Sequence, residues 1–219
     1  MDYSDTTVLI PVKDEPAVAK VTSDVFKNLP GCKVIIIHKG PLGAKISRKN
    51  LVIMEQKSSG KGAACVQAVK HVNTKILCII DGDDTYESRD LKKLVQLVRE
   101  SADLALGNRF ANIRPGAMPF YVRLGNHILT LSANLLYGMN IKDSQTGIRA
   151  MKKTTFDRLG IQETHFGFEE EMNIKAKQRG FKVVEIPTKY YIRTGSSKQF
   201  KLADGVKLFL INFKFLGKN

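Results

Sequence analysis

The stretch Ile79-Ile80-Asp81-Gly82-Asp83-Asp84-Thr85-Tyr86-Glu87 places three aspartates at the point where an apolar run ends. Its lead-in, Lys75-Ile76-Leu77-Cys78-Ile79-Ile80, is short and rich in β-branched residues, as expected of a strand buried on both faces of a parallel sheet. Ligands of such sheets gather at the carboxyl ends of the strands. Asp81 and Asp83, one residue apart, offer hard oxygen ligands that suit Mg²⁺ or Mn²⁺ and leave coordination positions for phosphate oxygens. A metal-bound diphosphate is the natural ligand of such a pair. The same residues also read as a turn followed by a helix cap, because Gly and Asp dominate turns and Ser88 can cap the helix that follows. This segment alone leaves both readings open.

Working outward, residues 7–12 read as a first strand and 15–29 as a helix begun near Pro16, a favoured early-helix residue. Residues 33–37 and 51–54 read as further strands, and Gly60-Lys61-Gly62 opens a helix running to about residue 71. Gly60-Lys61-Gly62 lacks the spacing of a Walker A phosphate loop, which favours a plain helix start. After the aspartates, 88–100 carries Leu91, Leu94, Val95 and Val98 at helical spacing, and 103–106 returns to strand. Alternation of this kind predicts an α/β sheet with right-handed crossovers. The second half departs from it: a long apolar helix over 121–137, a segment 143–152, a helix over 169–178, and an extended stretch 183–192 interrupted by Pro187. No repeat or linker marks off a second core.

With 219 residues and 43% hydrophobic content, the chain is long enough for one substantial core. The N-terminus lacks a signal-peptide pattern and no apolar run is long enough to span a bilayer, so the expectation is an intracellular protein. Cys32, Cys65 and Cys78 are too few and too irregular for a disulfide framework or zinc site and read as buried thiols. Thirty-five Lys and Arg against 21 Asp and Glu leave a charge of +14, which favours a polyanionic partner. Nucleic acid, an anionic membrane and phosphorylated small molecules all meet that demand.

Seven segments follow one another over nearly the whole chain: Leu9-Ile10-Pro11-Val12-Lys13-Asp14-Glu15, Gly60-Lys61-Gly62-Ala63-Ala64, Asp81-Gly82-Asp83, Gly107-Asn108-Arg109-Phe110, Asp143-Ser144-Gln145-Thr146-Gly147-Ile148-Arg149-Ala150, Gly167-Phe168-Glu169-Glu170-Glu171, and Tyr190-Tyr191-Ile192-Arg193-Thr194-Gly195-Ser196-Ser197-Lys198. In that order the chain resembles the family 2 glycosyltransferases, particularly the polyprenyl (dolichyl) phosphate sugar synthases. The resemblance implies a GT-A fold, a Rossmann-like, mostly parallel sheet flanked by helices. It implies a catalytic domain over 1–199 and a C-terminal basic amphipathic helix over 200–219.

By the same resemblance Pro11, Val12, Asp14 and Glu15 border the nucleotide pocket, with His38 and Lys61 on its nucleotide side. Asp81, Gly82 and Asp83 meet the ribose and the metal-bound diphosphate, Asp81 and Asp83 being the metal ligands. Asp143 and Gln145 face the donor sugar, Arg109, Arg123 and Arg149 face the acceptor, and Arg193 and Lys198 belong to a loop that closes over the diphosphate. Asp83, Asp143, Arg149, Glu169 and Glu170 are the catalytic candidates. Plainer readings stand beside these: Arg149 as a structural ion pair, Glu169 to Glu171 as charge at a helix start, and 193–198 as a solvated basic loop. Two departures stand out: His38-Lys39-Gly40 replaces the Asp-Asp-Gly of many relatives, and Thr85 stands where Gln is frequent. His38 also fits an ordinary strand end.

The implied reaction is displacement at the anomeric carbon of a UDP- or GDP-hexose, with inversion, by a polyprenyl phosphate oxygen. A phosphate monoester, with a second pKa of about 6, is already ionised near neutral pH and needs no strong general base. A sugar or protein hydroxyl, the alternative acceptor, needs a carboxylate such as Asp143, Glu169 or Glu170. A basic nucleic-acid-binding protein would explain the charge, but the aspartate cluster is awkward for that role, and no nucleic acid is expected. Residues 200–216 set apolar residues beside Lys201, Lys207 and Lys214, which suits a helix lying in the headgroup layer or one packed on the core. The expected location is therefore cytoplasmic, peripheral on the cytoplasmic face of an anionic membrane.

Overall fold

Three stretches of uninterrupted apolar residues form the centre of the sheet, and burial on both faces is what demands their composition. They are β1 (Thr6–Lys13), β2 (Lys33–Lys39) and β4 (Ile76–Ile79). The computed structural model describes residues 1–43, 46–165, 167–195 and 202–217. Val8, Ile10, Val34, Ile36, Cys78 and Ile80 pack on one face against α1 (Val18–Asn28) and α3 (Asp90–Glu100). Leu9, Ile35, Ile37, Leu77 and Ile79 pack on the other against α2 (Lys61–Val69), α5 (Lys153–Leu159) and α6 (Phe168–Gln178). All three cysteines are buried free thiols.

With β3 (Leu51–Glu55), β5 (Leu104–Ile113), β6 (Arg149–Lys152) and β7 (Val183–Tyr190), the sheet has the order β3-β2-β1-β4-β6-β5-β7. Every neighbouring pair is parallel except those of β6, which runs antiparallel between β4 and β5. Ile79 pairs with Arg149, so the chain leaving β4 toward Asp81 meets the chain approaching β6 from Asp143. That register assembles the site.

Three local expectations change. β7 continues through Pro187, which lies opposite Asn108 on the edge strand beside a register shift. An edge position spares the ladder the missing N–H. Ser88 does not cap α3; its Oγ accepts a hydrogen bond from Asn28 Nδ2 at 3.0 Å. The segment 143–152 ends in β6 and leads directly into α5, neither of which four- and seven-residue patterns reveal.

α4 (Phe120–Tyr137) and α7 (Leu202–Lys214) are bonded to one another, with Tyr137 Oη donating to the Asn212 carbonyl at 2.6 Å and Asn212 Nδ2 to Ser132 Oγ at 2.5 Å. α7 and the turn after it bury Leu208, Asn212 and Phe215 against the protein and leave Phe209, Leu210 and Phe213 exposed. Among the described residues no helix is long and apolar enough to cross a membrane.

Candidate active site

The cleft floor is the turn after β4. Thr85 Oγ1 donates to Asp83 Oδ1 at 2.7 Å and orients that carboxylate. Asp84 at φ 64° and Asp14 at φ 55° hold the two strand ends in tight left-handed turns, a conformation Asp tolerates better than most side chains. The chain leaving β7 is fastened over this floor by main-chain bonds from Tyr191 N–H to the Thr85 carbonyl (2.9 Å) and from Thr194 N–H to the Asp83 carbonyl (3.2 Å). Gly147 is packed so closely against Asp81 that a Cβ would run into the carboxylate, and its N–H donates to Tyr86 Oη at 2.7 Å.

Two cations bind the two aspartates. Lys61 Nζ, at the start of α2, sits 2.5 Å from Asp81 Oδ1 and 2.7 Å from Glu169 Oε1, joining three elements. Gly60 precedes it at φ 107° because its Cα faces the Thr164 carbonyl, so this glycine answers a close backbone approach. Burial alone would push the Asp81 carboxyl up, but the charge and hydrogen bond of Lys61, together with the charges of Arg109 and Arg193, outweigh it and hold Asp81 below the usual range. Asp83 goes the other way, raised by burial and then by the neighbouring Asp81 charge. Arg193 pairs with Glu15 and places Nη1 3.4 Å from Asp83 Oδ2. Burial opposes its charge, yet Glu15 and Asp83 keep the guanidinium more basic than usual.

Deeper in, charge is sealed. Asp143 is fully buried, accepting from Arg109 N–H (2.9 Å), Nε (2.7 Å) and, through Oδ1, Nη2 (2.7 Å). Its own N–H and that of Lys142 donate to Glu185. Arg109 also lies over the Tyr190 ring. Arg149, 1% exposed, donates to the Thr146 carbonyl at 2.7 Å, and burial lowers its pKa. The structure thus turns Asp143, Arg109 and Arg149 inward: none of the three presents its charge to the cleft, because their partners enclose them.

The three consecutive glutamates diverge. Glu169 faces Lys61; Glu170 accepts from Gln145 Nε2 at 2.5 Å; Glu171, fully buried, accepts from the N–H groups of Gln162 and Glu163 and pairs with Lys175. Glu170 Oε1 is buried without a hydrogen-bond partner among the described residues, and burial pushes this carboxyl up to about 7. Gln145 is therefore held by Glu170 at the inner wall.

Of the remaining candidates, Pro11 and Val12 lie at the end of β1, and Gly82 is buried between the aspartates. His38 Nδ1–H donates to the Gly40 carbonyl at 2.7 Å, closing the turn after β2. Arg123 is exposed in the first turn of α4, and Lys198 lies outside the described residues. Sequence reasoning gave no role to Tyr86, whose partner Gly147 lies 61 positions away and leaves no local signal, and read Glu171 only as charge at a helix start.

A carboxylate pair at the carboxyl end of a mostly parallel sheet, ringed by cations, is the design of a nucleotide-diphospho-sugar transferase of the GT-A fold. The fold matches the crystal structure of glucosyl-3-phosphoglycerate synthase from Mycobacterium tuberculosis in complex with Mn²⁺, uridine-diphosphate and phosphoglyceric acid, with TM-score 0.72 over 97% of this chain and 78% of that one at 15% identity. The profile of Glycosyl transferase family 2 matches residues 7–160, and the chain belongs to that family. Among curated relatives, Glycosyltransferase AglJ of Haloferax volcanii is 32% identical over 87% of this chain and 64% of its own length. Low-salt glycan biosynthesis hexosyltransferase Agl6 of the same organism is 30% identical over 74% of this chain and 40% of its own length, so the chain spans less than two thirds of both. Dolichyl-phosphate hexose transferase, again from H. volcanii, is 28% identical over 89% of this chain and 86% of its own length.

Proposed function

We propose that the chain moves a hexose from a UDP- or GDP-linked donor to a polyprenyl phosphate, with inversion at the anomeric carbon. The observation that carries this reading is the state of the candidate base carboxylates: Asp143 is sealed onto Arg109, and Glu169 is held by Lys61. Such a site suits an acceptor that arrives already ionised. The names of two relatives, Dolichyl-phosphate hexose transferase and Dolichol-phosphate mannosyltransferase, point the same way.

In the reaction an acceptor phosphate oxygen bonds to the anomeric carbon as the bond to the donor diphosphate breaks, and the nucleoside diphosphate carries away the electron pair. Lys61 and Arg193, held by Asp81 and Asp83 in the free protein, are placed to exchange those two aspartates for diphosphate oxygens, Lys61 keeping Glu169. Arg123, exposed at the start of α4, is the acceptor-side cation that remains open. The donor set at Asp81 and Asp83 fits Mg²⁺ or Mn²⁺: two neighbouring carboxylates, the charge of one raising the other's pKa, offer hard oxygen ligands that a divalent ion would neutralise. No cluster of three metal-ligating side chains occurs among the described residues, so diphosphate oxygens would complete the shell. A divalent ion there supplies charge neutralisation for the departing diphosphate. The site of action is the cytoplasmic face of a membrane, where such an acceptor resides.

One observation favours a second reading. Glu170, with a free buried oxygen and a pKa near 7, has the properties of a general base for a hydroxyl acceptor. Incubating the protein with Mn²⁺ or Mg²⁺, UDP- and GDP-sugars and a short polyprenyl phosphate, and seeking a glycosylated lipid phosphate by mass spectrometry, separates the two. Product formation supports the lipid phosphate; donor hydrolysis without that product moves the reading to a hydroxyl acceptor.

A further inference from the structure

α4 carries its large apolar residues on the wrong side for an ordinary surface helix. Tyr121, Leu124, Ile128, Leu131 and Leu135 recur every three or four positions and, with Phe120 beside them, are 48% to 78% exposed, whereas the face turned to the protein buries only Leu129, Thr130 and Ala133. α7, bonded to α4 through Asn212, adds exposed Phe209, Leu210 and Phe213. Contiguous apolar surface of this kind marks an interaction site.

Charge selects the occupant. α4 contains no Asp or Glu and carries exposed Arg123 in its first turn, α7 adds exposed Lys207 beside Lys214, which pairs with Glu163, and one acid in its sequence, Asp204, and the chain as a whole is +14. A second copy would bring like charge against like charge, while an anionic lipid surface complements both features. Position agrees. The segment entering α4 is tied to the cleft, Arg114 N–H donating to the Tyr190 carbonyl one residue before Tyr191 reaches Thr85. The stripe therefore starts beside the mouth of the site.

We propose that the outward face of α4, with α7 beside it, lies in the headgroup layer of an anionic bilayer and sets the cleft mouth at the depth of a lipid-borne phosphate. The placement rests on the lipid-phosphate reading only for its purpose, not for its test. The chain has no tryptophan, so Leu131→Trp introduces a single reporter, with Val52→Trp on the opposite edge strand β3 as the control. Vesicles of phosphatidylcholine with phosphatidylglycerol, free of polyprenyl phosphate, should shift the emission of the first variant to the blue and leave the second unchanged. Pure phosphatidylcholine should give a weaker shift. Ile128→Glu combined with Leu135→Glu should bind the anionic vesicles about tenfold more weakly while donor binding persists, which also shows that the variant is folded. Unchanged emission of the Leu131→Trp variant, or a shift that follows protein concentration without vesicles, overturns the proposal. Because these vesicles carry no acceptor, such a failure leaves the transfer reaction standing, and failure of the transfer assay leaves the docking result standing.

Discussion

Two sets of charges lie on the same side of the sheet and differ in what they can do. Around Asp143 the charges are enclosed: Arg109 makes three hydrogen bonds to one carboxylate, the half-buried Glu185 receives two backbone N–H groups, and Arg149 is held by a carbonyl. Around Asp81 and Asp83 the Lys61–Asp81 pair is just as short and the Arg193–Asp83 pair longer, at 3.4 Å, and Lys61, Asp81 and Arg193 keep about a quarter of their side-chain surface in water. A sealed pair cannot change partners without stranding a charge in a medium of low polarity. A partly wet pair can trade a carboxylate for an incoming phosphate at little cost. Access, not pairing, divides the framework of this site from its chemistry.

Breaking the wet set should show first in catalysis. Asp83→Ala is expected to lower metal-dependent donor turnover on the order of a thousandfold, with the circular dichroism spectrum preserved. Unchanged turnover would remove the aspartate pair from the donor site.

Breaking the sealed set should show in stability. Arg109→Ala leaves Asp143 buried without its partner and is expected to cost about 3–5 kcal/mol in denaturant unfolding. Arg193→Ala should cost under about 1 kcal/mol and weaken donor binding by roughly tenfold instead. Equal destabilisation by the two would erase the distinction.

Glu170 sharpens the boundary between the sets. Its carboxyl, ordinarily near 4.5, stands near 7 when folded, so the native chain holds this proton more tightly than the unfolded one. Its contribution is then complete below about pH 4.5 and is lost as the pH rises through 7, up to roughly 3 kcal/mol. Glu170→Gln should flatten that decline in the melting temperature; an equally steep decline would place the titrating group elsewhere.

The first half of the fold was legible because each central strand is a short apolar run and each flanking helix repeats its apolar residues at helical spacing. The aspartates were legible because they follow such a strand directly. β6 was not: four residues, Arg149 to Lys152, carry no period, and nothing local shows that they insert antiparallel between β4 and β5. The sealing of Asp143 was hidden for the same reason, since Arg109 lies 34 positions away and is brought to it by the pairing of β5 with β6. α4 read as an apolar helix, and only its packing revealed which residues point to solvent.

Sequence by itself determined the α/β order and the carboxylate pair at a strand end, because composition and local period report how much of each segment must be buried, and the order of its motifs carried the resemblance to the family. Tertiary structure alone decided which charges are enclosed, which stay at the cleft and which apolar face remains uncovered. Those outcomes depend on contacts between segments far apart in the chain, and the antiparallel insertion of β6 sets which segments meet.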